Sequence, residues 1–140
     1  MRLVLDTNVL VAAMRSPNGA SAALLRAVRE GRVTMVANPA LFLEYEAVLK
    51  RPQHLAAAGM TLGQADVLLT ALASLLSPTA AGPSWRPLLA DPDDEMVLEA
   101  AINGPADAIV TFETATFAPV APAFGIDVLT PGAICRKMDP

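Results

Sequence analysis

Four short apolar runs set the terms for this chain: RLVLD (2–6), VTMVA (33–37), ADAIVTF (106–112) and IDVLT (126–130). Each has the length of a buried strand and none alternates cleanly with polar residues. Helix-like stretches lie between them. Strands separated by helices cannot pair as hairpins, so the pattern predicts parallel pairing in an α/β sandwich.

The intervening segments carry their own start and stop signals. TNVLVAAMR (7–15) reads as a short helix or turn, closed by SPNG (16–19). ASAALLRAVREG (20–31) shows an apolar face at Ala20, Leu24, Ala27 and Val28, with Gly31 placed as a C-terminal cap. Asn38 and Pro39 open the helix ALFLEYEAVLKR, which is expected to stop before Pro52. Thr61 caps a helix over 61–76, and SPTAAGPSWRP (77–87) reads as a loop. WRPLLA shows no decisive period. DPDDEMVLEAAIN predicts a helix from about Pro92 to Asn103, and PGAICRKM one from Pro131. A chain of 140 residues with no repeats is expected to be a single domain, 1–140.

Composition removes several kinds of chemistry. Cys135 is the only cysteine and His54 the only histidine, so thiolate clusters and His-rich zinc sites are excluded. A metal here would need oxygen ligands, which points to a hard ion such as Mg²⁺ or Mn²⁺. The formal net charge of −4 rules out a broad basic platform for nucleic acid. The bases are grouped instead: Arg26, Arg29 and Arg32; Lys50 and Arg51; Arg136 and Lys137. No apolar run reaches the ~18–20 residues of a membrane span. MRLVLDTN breaks into acid and amide too soon for a signal peptide. A reducing cytosol fits the lone cysteine.

Within LADPDDEMVLEAA the acids divide. Asp91 before Pro92 suits an N-cap, and Asp93 and Glu95 complement the helix dipole. Asp94 shares the inward face with Val97, Leu98 and Ala101, where an acid is costly unless paired or bound to a cation. Asp6 ends an apolar strand; it caps the next helix or serves a site. A phosphotransferase of the haloacid-dehalogenase type also has an acid there, but needs a second Asp where Asn8 stands. Glu44 and Glu46 flank the stripe Leu41, Tyr45, Val48 and Leu49 about equally, so periodicity does not choose between them. Glu46 and Lys50 are spaced for an i,i+4 pair. Asp6, one of these glutamates, Asp94 and Glu113 would repel one another if they converged, and a divalent cation would resolve the conflict.

The ordered set LDTNVLVAA, NPALFLEYEAVLKRP, DPDDEMVLEAAINGPADAIVTFE and FGIDVLTPGAI resembles the PIN-domain family, especially VapC-like toxin nucleases of toxin–antitoxin pairs. The resemblance implies an α/β/α sandwich with a central parallel sheet and a Mg²⁺- or Mn²⁺-dependent ribonuclease site. By position it implies Asp6, Glu44, Asp94 and Glu113 as the catalytic and metal-holding acids. Thr7, Asn8 and Thr111 would orient a carboxylate or the substrate. Phe112 and Glu113 depart from the family's Thr-Gly-Asp, and a further acid is missing where Ala115 and Thr116 stand. A second reading is therefore a PIN-like interaction module with weak or lost hydrolysis; a third is a metal-dependent phosphatase. The resemblance also implies an RNA substrate, an antitoxin partner, a homodimer and a cytoplasmic location.

Overall fold

The first apolar run becomes strand β1, Arg2–Leu5, buried from Leu3 onward. In the computed structural model, which describes residues 1–78 and 87–139, helices α1 (Thr7–Arg15) and α2 (Ala20–Arg29) lead from it to β2 (Thr34–Ala37). Helices α3 (Pro39–Leu49), α4 (Pro52–Ala58) and α5 (Leu62–Leu75) follow, then the two-residue strand β3 (Ser77–Pro78). Helix α6 (Pro92–Asn103) precedes β4 (Ala108–Val110). A short α7 (Thr114–Phe117) and a 3₁₀ turn at Ala121–Phe124 lead to β5 (Asp127–Leu129) and α8 (Pro131–Met138).

The sheet order is β3-β2-β1-β4-β5, and every pairing is parallel. Helices cover both faces, giving the expected α/β/α sandwich. β1 is central and buried on both sides from Leu3 onward, which explains why Leu3, Val4 and Leu5 are continuously apolar. Leu3, Leu5, Leu41, Leu98 and Ile109 are wholly buried in one continuous core. Each such side chain contributes about 1.5–3 kcal/mol relative to an exposed one.

The chain builds β1, β2 and β3 in one direction, then returns across β1 to place β4 and β5 on its other side. That reversal puts a topological switch between β1 and β4. Open parallel sheets bind ligands in the crevice at the carboxyl ends of the strands at such a point.

Four sequence readings need correction. Ser77 and Pro78, read as loop, pair with Val36 and Ala37 as an edge strand. Two residues carry no period, and Pro is tolerated at an edge. Pro52 stops α3 but also opens α4 as its first residue, with Gly59 closing it at φ 67°. Lys50 does not pair with Glu46. It lies beyond the end of α3, and its Nζ meets Asp66 on α5 at 2.6 Å. Ala20 is exposed, while Leu24, Ala27 and Val28 form the buried face of α2 as read. Part of WRPLLA falls outside the described residues, and Pro87–Ala90 form no strand. Among the described residues, no single helix is long and apolar enough to cross a membrane.

Candidate metal centre

The site begins where β1 stops. Parallel register sets Leu5 beside Val110, so the residues that follow, Asp6 and Thr111, emerge together at the switch point. The Asp6 N–H donates to Val110 O at 2.9 Å, extending the ladder by one bond. Asp6 is extended, and its Oδ1 accepts the Thr7 N–H at 2.8 Å as the N-cap of α1. Its Oδ2 accepts the Thr111 hydroxyl at 2.8 Å and Asn8 Nδ2 at 3.4 Å. The cap and the site are thus served by different oxygens of one carboxylate.

Thr111 is wholly buried, and its Oγ1 also accepts the Glu113 N–H at 2.9 Å. Asn8 Oδ1 accepts the Phe112 N–H at 3.4 Å. One hydroxyl and one amide therefore tie the turn after β4 to the turn after β1, and fix where Glu113 starts.

Helix α6 delivers the third acid. Asp91 Oδ1 accepts the Asp93 N–H at 2.9 Å, and Pro92 takes the first turn. Glu95 turns back to accept the N–H groups of Leu88 and Leu89, the latter at 2.9 Å. Asp94 stands half-buried above Val97, Leu98 and Ala101. Carboxylate oxygens of Asp6, Asp94 and Glu113 all lie within 4.8 Å of one another. At that separation two full charges repel by roughly 3–4 kcal/mol at an effective dielectric near 20.

Titration follows this crowding. Asp94 is pushed up to about 6, first by burial and then by Asp91, Asp6, Glu113 and Asp93. Burial also raises Asp6, with a further push from Glu113, against the hydrogen bonds from Thr111 and Thr7. Among the described residues the ion pairs involve Arg32, Lys50 and Lys137, none of them with these three acids.

Glu44 comes from the opposite wall. Tyr45 beside it is wholly buried, and its hydroxyl donates to Leu5 O, pinning α3 to the last residue of β1. Glu44 lines the same cleft of about 330 Å³ without joining the close trio. Glu46 does not line it. Asp91 and Asp93, read from sequence as starting the helix, face the cleft as well. So do Arg51 and His54, which the sequence reading did not single out for the site. No helical period marks them, because α3 ends at Leu49 and Arg51 is the extended N-cap of α4. A separate hollow of about 250 Å³ beside Ala37, Phe42, Leu76 and Pro78 carries no titratable side chain among the described residues.

The three converging carboxylates, in no ion pair among the described residues, form a donor set of oxygen alone. That set fits a hard divalent ion such as Mg²⁺ or Mn²⁺. It offers no soft ligand for copper or structural zinc.

A family model described as the PIN domain matches residues 2–115. No curated protein matches the sequence. Among solved structures, one chain of the crystal structure of VapBC2 from Rickettsia felis bound to a DNA fragment from their promoter is similar in fold. The TM-score is 0.63 over 93% of this chain and 98% of that one, at 16% identity.

Proposed function

The chain belongs to the PIN domain family, and from that premise we propose that it is a metal-dependent ribonuclease, the toxin of a toxin–antitoxin pair. The observation that carries this reading is the trio Asp6, Asp94 and Glu113, gathered within 4.8 Å and, among the described residues, in no ion pair with a base. These three would hold Mg²⁺ or Mn²⁺, with Glu44 beside them in the same cleft. When bound, the ion lowers the pKa of water and polarises a phosphoryl oxygen. The protein's own residues do the positioning. Thr111 and Asn8 fix the Asp6 carboxylate, and the Thr7 N–H holds its other oxygen. Thr111 also anchors the backbone of Glu113. Water would attack the scissile phosphorus in line, the P–O bond to the departing ribose oxygen breaking as the new one forms and a proton passing to that oxygen, and this fixed set of acids keeps the attack geometry narrow.

The inert-module reading rests on Phe112 and Glu113 in place of the family's Gly and Asp. The longer side chain still brings a carboxylate oxygen into the trio, which favours hydrolysis. An antitoxin partner is supported by the likeness to a VapBC2 chain. A homodimer is supported by exposed apolar side chains, Leu43 on α3 and Leu62 and Val67 on α5.

The test is incubation of purified protein with total RNA, with and without Mn²⁺, beside Asp6→Asn. Asn is also a good N-cap, so that variant keeps α1. Cleavage that needs Mn²⁺ and is lost in Asp6→Asn is the expected result. Undiminished cleavage by Asp6→Asn removes Asp6 from the mechanism. Hydrolysis of small phosphoesters with RNA spared would favour the phosphatase instead.

A further inference from the structure

Six carboxylates face the cleft: Asp6, Glu44, Asp91, Asp93, Asp94 and Glu113. A single divalent ion offsets two of those charges, so the wall remains hostile to a polyanion. Among the described residues Arg51 and His54 are the basic side chains lining it, and both come from the corner between α3 and α4. Arg51 is exposed and makes no ion pair among the described residues. It occupies the N-cap position of α4, yet its side chain makes no capping bond. The fold therefore does not use the guanidinium. Pro52 follows it directly and sets the backbone of the corner. His54, one turn in, is half-buried, and its Nδ1 is shielded from solvent with no hydrogen-bond partner. A buried ring nitrogen left unpaired is costly.

We infer that Arg51 and His54 form the phosphate-holding wall of the cleft, gripping the backbone of single-stranded RNA opposite the acids. Arg51 presents a planar fork of donors that fits two phosphate oxygens at once. With Nδ1 shielded from solvent, it is Nε2 of the His54 imidazole that supplies one N–H to the same or the neighbouring phosphate. Both act as positioning residues: they hold the chain while the acids act on it. The inference rests on the RNA-cleaving reading of the same cleft, but concerns binding and is measured apart from cleavage.

The measurement is fluorescence anisotropy of a fluorescein-labelled single-stranded RNA of mixed sequence, in Mg²⁺, across a salt series. All proteins carry Asp94→Asn, so that the probe survives. Adding Arg51→Gln is expected to weaken binding about ten-fold at low salt. It should also flatten the log–log salt slope by about 0.7, one phosphate contact on a single strand. Arg51→Lys should restore the slope but only part of the affinity, because a point charge replaces the fork. His54→Ala should weaken binding, and His54→Gln, which keeps an N–H donor, should recover part of it. Melting temperatures equal to the background protein show that the corner still folds. Unchanged affinity and slope in Arg51→Gln and His54→Ala overturn the inference, even where the unaltered protein cuts RNA. Absence of binding by the background protein overturns it too. Arg51-dependent binding by a protein whose unaltered form cuts no RNA in Mn²⁺ supports this wall and removes the hydrolytic reading.

Discussion

Asp94 shows at the scale of one residue what crowding does. Its pKa lies near 6, against an ordinary 3.8, because burial and four neighbouring acids penalise its charge. Between those values the unfolded chain has released its proton and the folded one has not. Stability of the metal-free protein should therefore fall as pH rises from about 4 to about 6, and level off above. Solvent screening of this half-exposed acid leaves roughly 1 kcal/mol for that step. Thermal melts in EDTA across that range check it: the slope should shrink in Asp94→Asn, and an unchanged slope would place the titration elsewhere. Asp94 was legible in the sequence because an acid on the face of Val97, Leu98 and Ala101 has no ordinary reason to be there. Glu44 was not separable from Glu46 by period, since both flank Tyr45; the position of α3 over the sheet turns the first into the cleft. Thr111 entered only through the family pattern. Its role depends on bonds to Asp6 and to the Glu113 backbone, 105 residues and two residues away respectively.

Among the elements, α6 explains why acids collect at 91–95. Asp91 caps the helix, Glu95 holds the preceding backbone, and Asp94 enters the trio. Asp91→Ala should cost about 1 kcal/mol of stability through the lost cap. Asp91→Asn keeps the cap and removes a charge that raises Asp94, so it should be neutral or stabilising in metal-free protein. Equal losses in urea unfolding of the two variants would say that charge, and not the cap, matters at this helix start. Helix starts were readable wherever a side chain closes them: Asn38, Thr61, Asp91 and Thr130 each accept a backbone N–H as N-cap. Strand β3 and helix α4 were not readable. The first has two residues, and the second begins at a Pro that also ends the helix before it. Missing α4 hid Arg51 and His54, because nothing else placed that corner beside Glu44.

For the whole molecule, the decisive feature is the return of the chain across β1 after β3. It sets the ends of β1 and β4 side by side at the switch point, and α3 and α6 close over them from chain positions far apart. Alternation of strands and helices predicted the parallel sheet and its layers; the strand order could not follow from that pattern, because β3 carries no period of its own. The acids are consequently held by the most buried part of the fold, and the repulsion among them is a standing cost of the metal-free state. Binding of a divalent ion removes that cost. A protein that binds such an ion only when folded gains about 2.7 kcal/mol at a hundred-fold excess over Kd. The most direct test is the melting temperature of the unaltered protein and of Asp94→Asn during Mn²⁺ titration at neutral pH. The account predicts a rise of several degrees that saturates in the first protein and is lost or much reduced in the second. No rise at millimolar Mn²⁺, or the same rise in both, would contradict it.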